Sequence, residues 1–135
     1  MSYSISDIED IDADEVKALK SVGIRTTEKL LDAAKSPRER KQLAAATALD
    51  ARTLLRWANI ADKLRIKGMG KEYATLLREV GVDTVKELRY RNPAKLAKSM
   101  ADANKKRKLV RFLPSEKLVA RWVEHAKKLP QKITY

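Results

Sequence analysis

Ile66-Lys67-Gly68-Met69-Gly70-Lys71, running on into Glu72-Tyr73-Ala74-Thr75-Leu76-Leu77, decides how this chain is read. An apolar residue, two glycines around another apolar residue, and then a helical pattern make a hairpin that opens a helix. Glycine lets the backbone turn tightly and come close to a partner. The new helix begins with unpaired N–H groups and a partial positive charge. Together these form a seat for an anion, and phosphate is the usual one. Lys67 and Lys71 flank the seat.

The hairpin sits in a chain of 135 residues with 44% hydrophobic content, four Gly, four Pro and no Cys. That is core enough for one compact unit or two small fused ones, built of long regular elements with short joints. The lack of Cys removes disulfides, thiolate zinc sites and cysteine nucleophiles, and it suits a reducing compartment, so a cytoplasmic location is expected. The first fifteen residues are acidic, the reverse of a signal peptide, and no apolar run approaches a membrane span. The net charge of +12 is uneven: residues 1–64 hold eleven Lys/Arg and eleven Asp/Glu, residues 65–135 nineteen and seven. All the excess lies in the half that carries the glycine hairpin. Such asymmetry points to a polyanion. Nucleic acid or an acidic protein is expected, and not a membrane.

Taken in order, residues 1–7 read as a loose start. Asp12 or Asp14 caps a helix to about Val22 with Val16, Leu19 and Val22 inside, and Gly23 ends it. Thr26 starts a short helix with Leu30 and Leu31. Ser36-Pro37-Arg38-Glu39 is a capping box with proline at the first helical position. Asp50 caps a helix whose stripe is Leu54, Trp57, Ala58, Ala61 and Leu64. After the hairpin comes a helix with Ala74, Leu77 and Val80 inside. Thr84 caps a helix with Leu88, and Asn92-Pro93 starts one with Leu96 and Met100. Asn104 to Leu113 is expected to hold a further helix, with Leu109, Phe112 and Leu113 on one face and Arg107, Lys108 and Arg111 mostly opposite. Pro114 closes it. Ser115 caps the last helix, which buries Leu118, Val119, Trp122, Ala126 and Leu129, and Pro130 leaves a short tail. No segment alternates as a strand does.

The chain repeats itself. Val22-Gly23-Ile24-Arg25-Thr26 matches Val80-Gly81-Val82-Asp83-Thr84 at an offset of 58, and Arg56-Trp57 through Leu64 matches Arg121-Trp122 through Leu129 at 65. Ser36-Pro37 matches Asn92-Pro93, and the extra residues of the second copy fall around Arg111–Lys117. Both tryptophans take the same place, as packing anchors do. At the hairpin the copies diverge: Gly68-Met69-Gly70-Lys71 aligns with Asp10-Ile11-Asp12-Ala13. Two carboxylates there would repel the phosphate that the second copy attracts. The expected fold is therefore all-α, two duplicated copies (residues 1–64 and 65–135) packed into one compact helical unit.

Ile66-x-Gly68-Met69-Gly70-x-x-x-Ala74-x-x-Leu77 resembles the helix-hairpin-helix motif of DNA repair and recombination proteins. The Gly81-Val82-x-Thr84-x-x-x-Leu88 continuation resembles the C-terminal domain of the RNA polymerase alpha subunit. Over its full length the chain is similar to a family of small bacterial proteins, a domain of unknown function related to helix-hairpin-helix modules. The resemblance implies sequence-independent duplex binding through the main-chain N–H groups of Gly68, Gly70 and Lys71. No cofactor is expected beyond the monovalent cation that the resemblance allows at the hairpin carbonyls.

The expected DNA-phosphate set is Lys67, Gly68, Met69, Gly70 and Lys71, with Lys105, Arg107, Lys108 and Arg111 adding contacts that position rather than specify. Lys117, Arg121 and Lys128 share a face of the last helix and widen the basic surface. The acidic start lacks the glycine and terminal glutamate of a calcium loop. It reads as helix N-terminal charge, or as an internal or external mate for the basic half. His125 reads as a surface or boundary residue with no triad or metal set around it. No catalytic constellation is visible, so no enzyme is expected. The alternative to DNA binding is an adaptor whose basic half docks an acidic surface of a larger assembly. An RNA-binding role would call for an exposed aromatic stacking set, and none is visible.

Overall fold

Seven of the eight helices begin on a side chain that accepts a backbone N–H of the first turn. A computed structural model describes residues 2–135. It gives α1 (Ala13–Ser21), α2 (Thr27–Ala33), α3 (Pro37–Thr47), α4 (Ala51–Lys63), α5 (Lys71–Glu79), α6 (Val85–Arg89), α7 (Pro93–Arg107) and α8 (Glu116–Lys128), preceded by a 3-10 turn at Ile5–Asp7. The caps are Asp12, Thr26, Ser36, Asp50, Thr84, Asn92 and Ser115. Each satisfies one of a helix's orphan donors, a contribution of about 1 kcal/mol. α5 is the exception: its N-cap is Gly70, which offers no side chain.

The fold is all-α. Among the described residues the one β-type pairing is an isolated antiparallel bridge between Ser4 and Thr26. α1 and α5, nine residues each, start 58 positions apart at Ala13 and Lys71, and α4 and α8, thirteen each, start 65 apart at Ala51 and Glu116. Packing pairs recur in step: α4 lies on α2 and α3 as α8 lies on α6 and α7, and α1 meets α3 as α5 meets α7. α4 also packs against α5 and α6, so it joins the two sets. Trp57 and Trp122 are both fully buried, with Leu54, Ala58, Ala61 and Leu64 around the first and Val119, Val123 and Ala126 around the second. The turns match as well. Gly23 and Gly81 stand at φ 84° and 88°, where a side chain would strain the backbone, and each amide donates three residues back.

Three readings of the sequence are corrected, and the short tail is given its place. α1 ends at Ser21, so Val22 is 41% exposed and Leu19 alone of the expected three is buried. The start is not loose. Ile5 is fully buried, the Ile5 amide donates to the Arg25 carbonyl (3.1 Å), and Tyr3 and Thr27 exchange two hydrogen bonds of 2.8 and 3.1 Å. No separate helix fills Asn104 to Leu113. α7 runs through to Arg107, Lys108 turns left-handed (φ 50°), and irregular chain follows, pinned by Asn104 bonding both the amide and the carbonyl of Val110. Lastly, the C-terminal tail docks on the first half. Ile133 is buried, the Thr134 amide reaches the Lys35 carbonyl (2.8 Å), Arg40 grips the Thr134 carbonyl (2.8 Å), and the Tyr135 hydroxyl bonds Asn59 (2.8 Å).

Candidate nucleic-acid interface

The hairpin forms because α4 stops at Lys63 and the chain turns twice before α5 begins. The amide of Ile66 donates to the Lys63 carbonyl and that of Met69 to the Ile66 carbonyl, both at 3.1 Å. Ile66 and Met69 are buried, and they fix the turn to the core. Gly68 adopts φ 82°, and a Cβ there would touch Leu118 and the Trp122 indole nitrogen at 3.4 and 3.6 Å. Here the positive φ favours glycine, while both contacts are ordinary van der Waals distances. Gly70 differs: its φ of −118° suits any residue, and a Cβ would meet nothing within 4 Å. What its lack of a side chain changes is the cap.

The aligned loop in the first half shows the contrast. Asp10 holds the left-handed place of Gly68 at φ 66°, and the Ile11 amide donates to the Ile8 carbonyl as Met69 does to Ile66. Asp12 then caps α1, accepting from the Glu15 amide at 2.7 Å, while Glu15 accepts from the Asp12 amide at 2.9 Å. One backbone turn thus appears twice, once closed by its own carboxylates and once open. Among the described residues the amides of Gly68, Gly70 and Lys71 have no hydrogen-bond partner. Met69 is corrected: its side chain is in the core and its amide is occupied within the turn, so it offers nothing to a phosphate.

Around these donors the structure gathers some expected cations and removes others. Lys67 and Gly68 are exposed and line an open cavity of about 490 Å³ with Arg121 and His125. The His125 Nδ1 accepts the Lys67 amide at 3.0 Å, which ties α8 to the hairpin. Lys71 is exposed but lies 3.5 Å from Asp7. The chain after α7 runs back beside α5. Arg107 ion-pairs Glu79 at 2.6 Å, at the far end of α5 from the hairpin. Leu109 borders a cleft with Lys71 and Thr75, and the Phe112 carbonyl accepts from the Tyr73 hydroxyl at 2.9 Å. Arg111 is therefore carried toward the hairpin, with its guanidinium over the Phe112 ring, whereas Arg107 is held away from it. Lys105 and Lys108 are exposed.

Several contributing residues escaped the sequence reading. His125, expected at the surface or its boundary, is half-buried and accepts a backbone amide 58 positions away. Tyr73 stacks at a tilt on Trp122, ring centroids 5.2 Å apart, and anchors the loop at Phe112. Phe112 and Leu113, expected on a helix face, stand 73% and 49% exposed. Two of the hairpin carbonyls already accept hydrogen bonds. That of Met69 accepts from the Tyr3 hydroxyl (3.1 Å) and that of Ile66 from the Met69 amide. Among the described residues no three His, Asp or Glu side chains group as metal ligands. No helix is long and apolar enough to cross a membrane.

No curated protein and no solved structure matches the chain. A family model does match it, over residues 9–129, a span that takes in α1 to α8 and the hairpin between. The chain therefore belongs to that family, described as "Domain of unknown function (DUF4332)".

Proposed function

We propose that the protein is a non-catalytic, sequence-independent DNA-binding module of the helix-hairpin-helix kind, with residues 1–64 and 65–135 as two copies of one unit. The observation that carries this reading is the uncapped start of α5. Its N-cap alone among the eight lacks a side chain, and the aligned helix α1 fills the same place with Asp12. A helix start with free amides, a positive dipole end and flanking lysines attracts phosphate. Gly68, Gly70 and Lys71 would donate main-chain bonds to one phosphate, and Lys67, Arg111 and Arg121 would add charge around it. Such contacts fix position on a duplex and read no bases.

A second reading draws on Phe112 and Leu113. Exposed apolar side chains beside Arg111 suit a groove on an acidic protein, so the basic half would dock a larger assembly. A salt titration on a random-sequence duplex separates the two. With DNA binding, the parent holds the duplex near physiological salt with a log–log slope of about −0.9 per phosphate contact, and Gly70→Asp, which restores the cap found on α1, abolishes it. Equal binding by parent and variant rejects the hairpin as the site and leaves the adaptor.

A further inference from the structure

At the other end of α5 lies a second cationic site that the DNA reading does not use. A cleft of about 300 Å³ opens between α4 and α5, lined by Arg52, Arg56, Asn59 and Lys63 of α4, Arg78 of α5 and Asp83 of the following turn. Four cations and one carboxylate line it, with Glu9 and Asp10 beside Arg78 at its edge. Arg52, Arg56 and Lys63 follow one another at spacings of four and seven, which places them on one face of α4. Like charges four apart weaken a helix, so Arg52 and Arg56 do not help α4 by standing together. Among the described residues neither Arg52 nor Arg56 has an ion-pair partner, and Arg78 meets Glu9 and Asp10 only at 3.7 and 3.9 Å.

Two donors here are incompletely satisfied. The Arg56 Nε is buried and, like the indole nitrogens of Trp57 and Trp122, has no hydrogen-bond partner among the described residues. Buried N–H groups are nearly always paired, and one left bare is costly. Lys63 is fully buried, and its ammonium donates to the carbonyls of Ala74 (3.3 Å) and Val82 (3.1 Å). An ammonium has three donors, so one is left over. A guanidinium fork and a compact ammonium are the donor types that suit a phosphoryl group.

We infer that this cleft binds a phosphate monoester dianion, seated between Arg52, Arg56 and Arg78 over Lys63. The cleft's floor is buried, which favours a projecting terminal phosphate. A terminal monoester also brings more charge and more free oxygens to these donors than an internal phosphodiester does. Arg78 stands seven residues beyond Lys71, about 10 Å along the helix, so this site is separate from the hairpin and does not depend on it. The dianion has two sources, a free phosphorylated small molecule (or inorganic phosphate) and the phosphorylated end of a nucleic-acid strand.

The test is titration of the full chain with inorganic phosphate and with pyrophosphate at constant ionic strength in chloride, followed by backbone amide NMR. Two further ligands are a single strand bearing a 5′-phosphate and the same strand with a 5′-hydroxyl. Saturable shifts in residues 52–63 and 78–83 are expected, weakened at least about tenfold in Arg56→Gln and in Arg52→Gln but unchanged in Gly70→Asp. Arg52 is exposed, so that variant keeps its fold if Arg56→Gln does not. A preference for the 5′-phosphorylated strand assigns the strand end, and equal binding of the two strands assigns the free phosphate. No saturable binding of phosphate or pyrophosphate at millimolar concentration overturns the proposal. So does binding that survives intact in a folded Arg52→Gln.

Discussion

Asp12 and Gly70 stand at the N-caps of α1 and α5, after turns of similar backbone shape, and do opposite things there. A carboxylate at Asp12 supplies the cap that α1 needs, and a missing side chain at Gly70 leaves α5 open. Capping α5 is therefore expected to help the fold and harm the proposed activity. Gly70→Asp should raise stability by a few tenths of a kcal/mol, read from its urea midpoint, while duplex binding is lost. Gly68→Asp, at φ 82°, tests strain instead and should lower stability. Lys63 makes the second residue-scale prediction. Burial pushes its ammonium down to about 8 from 10.5, helped by Arg78 and opposed by Asp83, Glu87 and Glu9. Between those two values the unfolded chain holds a proton that the folded one has lost, so stability rises with pH across that window. The full rise is about 3 kcal/mol. Urea unfolding at steps from pH 7 to pH 10 should show it, and Lys63→Met should flatten it. Nothing in the local sequence marks Lys63. Its counterpart Lys128 is exposed in the same register, and only the placement of α4 between the two halves separates their fates.

The elements divide into those the sequence announces and those it does not. Helix starts were legible because a cap and the amide it accepts are two or three residues apart. The tryptophan stripes were legible because burial on one helix face has a fixed period. The turn from Asn104 to Leu113 was not, since its spacing of apolar and basic residues fits a helix on paper. What decides it is the left-handed turn at Lys108 and the Asn104–Val110 pairing. The two ends of the chain were illegible for a different reason: every bond they make is to a residue at least twenty positions away, apart from those within the ends. Among them is a contact with functional weight. Residues 7–10 lie along α5, with Asp7 on Lys71 and Glu9 and Asp10 on Arg78. The Asp7 carboxylate stands where a phosphate would approach Lys71. Asp7→Asn should strengthen duplex binding by up to about fivefold, the scale of one surface ion pair. An unchanged or weaker affinity would show that Lys71 plays no part. At the other end, Ile133→Ala should cost about 2–4 kcal/mol in urea unfolding, since its side chain is buried.

At the scale of the molecule the two halves are not independent bodies. α4 packs against α5 and α6, Tyr3 bonds Met69, and the tail bonds Lys35, Arg40 and Asn59. Unfolding should be a single transition in which tryptophan fluorescence and circular dichroism coincide, even though each half has its own tryptophan. Residues 1–64 made alone should fail to give the dispersed amide spectrum of a folded domain, and so should residues 65–135. The cross-over of the ends has a consequence for synthesis. Residues 131–135 leave the ribosome after residues 1–130, yet their partners are Asp32, Lys35, Arg40 and Asn59, made long before. At about 5–20 residues per second, those partners wait several seconds, with the Arg40 guanidinium only half satisfied by the Ala34 carbonyl. The first half is thus completed last, and a nascent chain arrested short of Ile133 presents an unfinished core to chaperones and proteases.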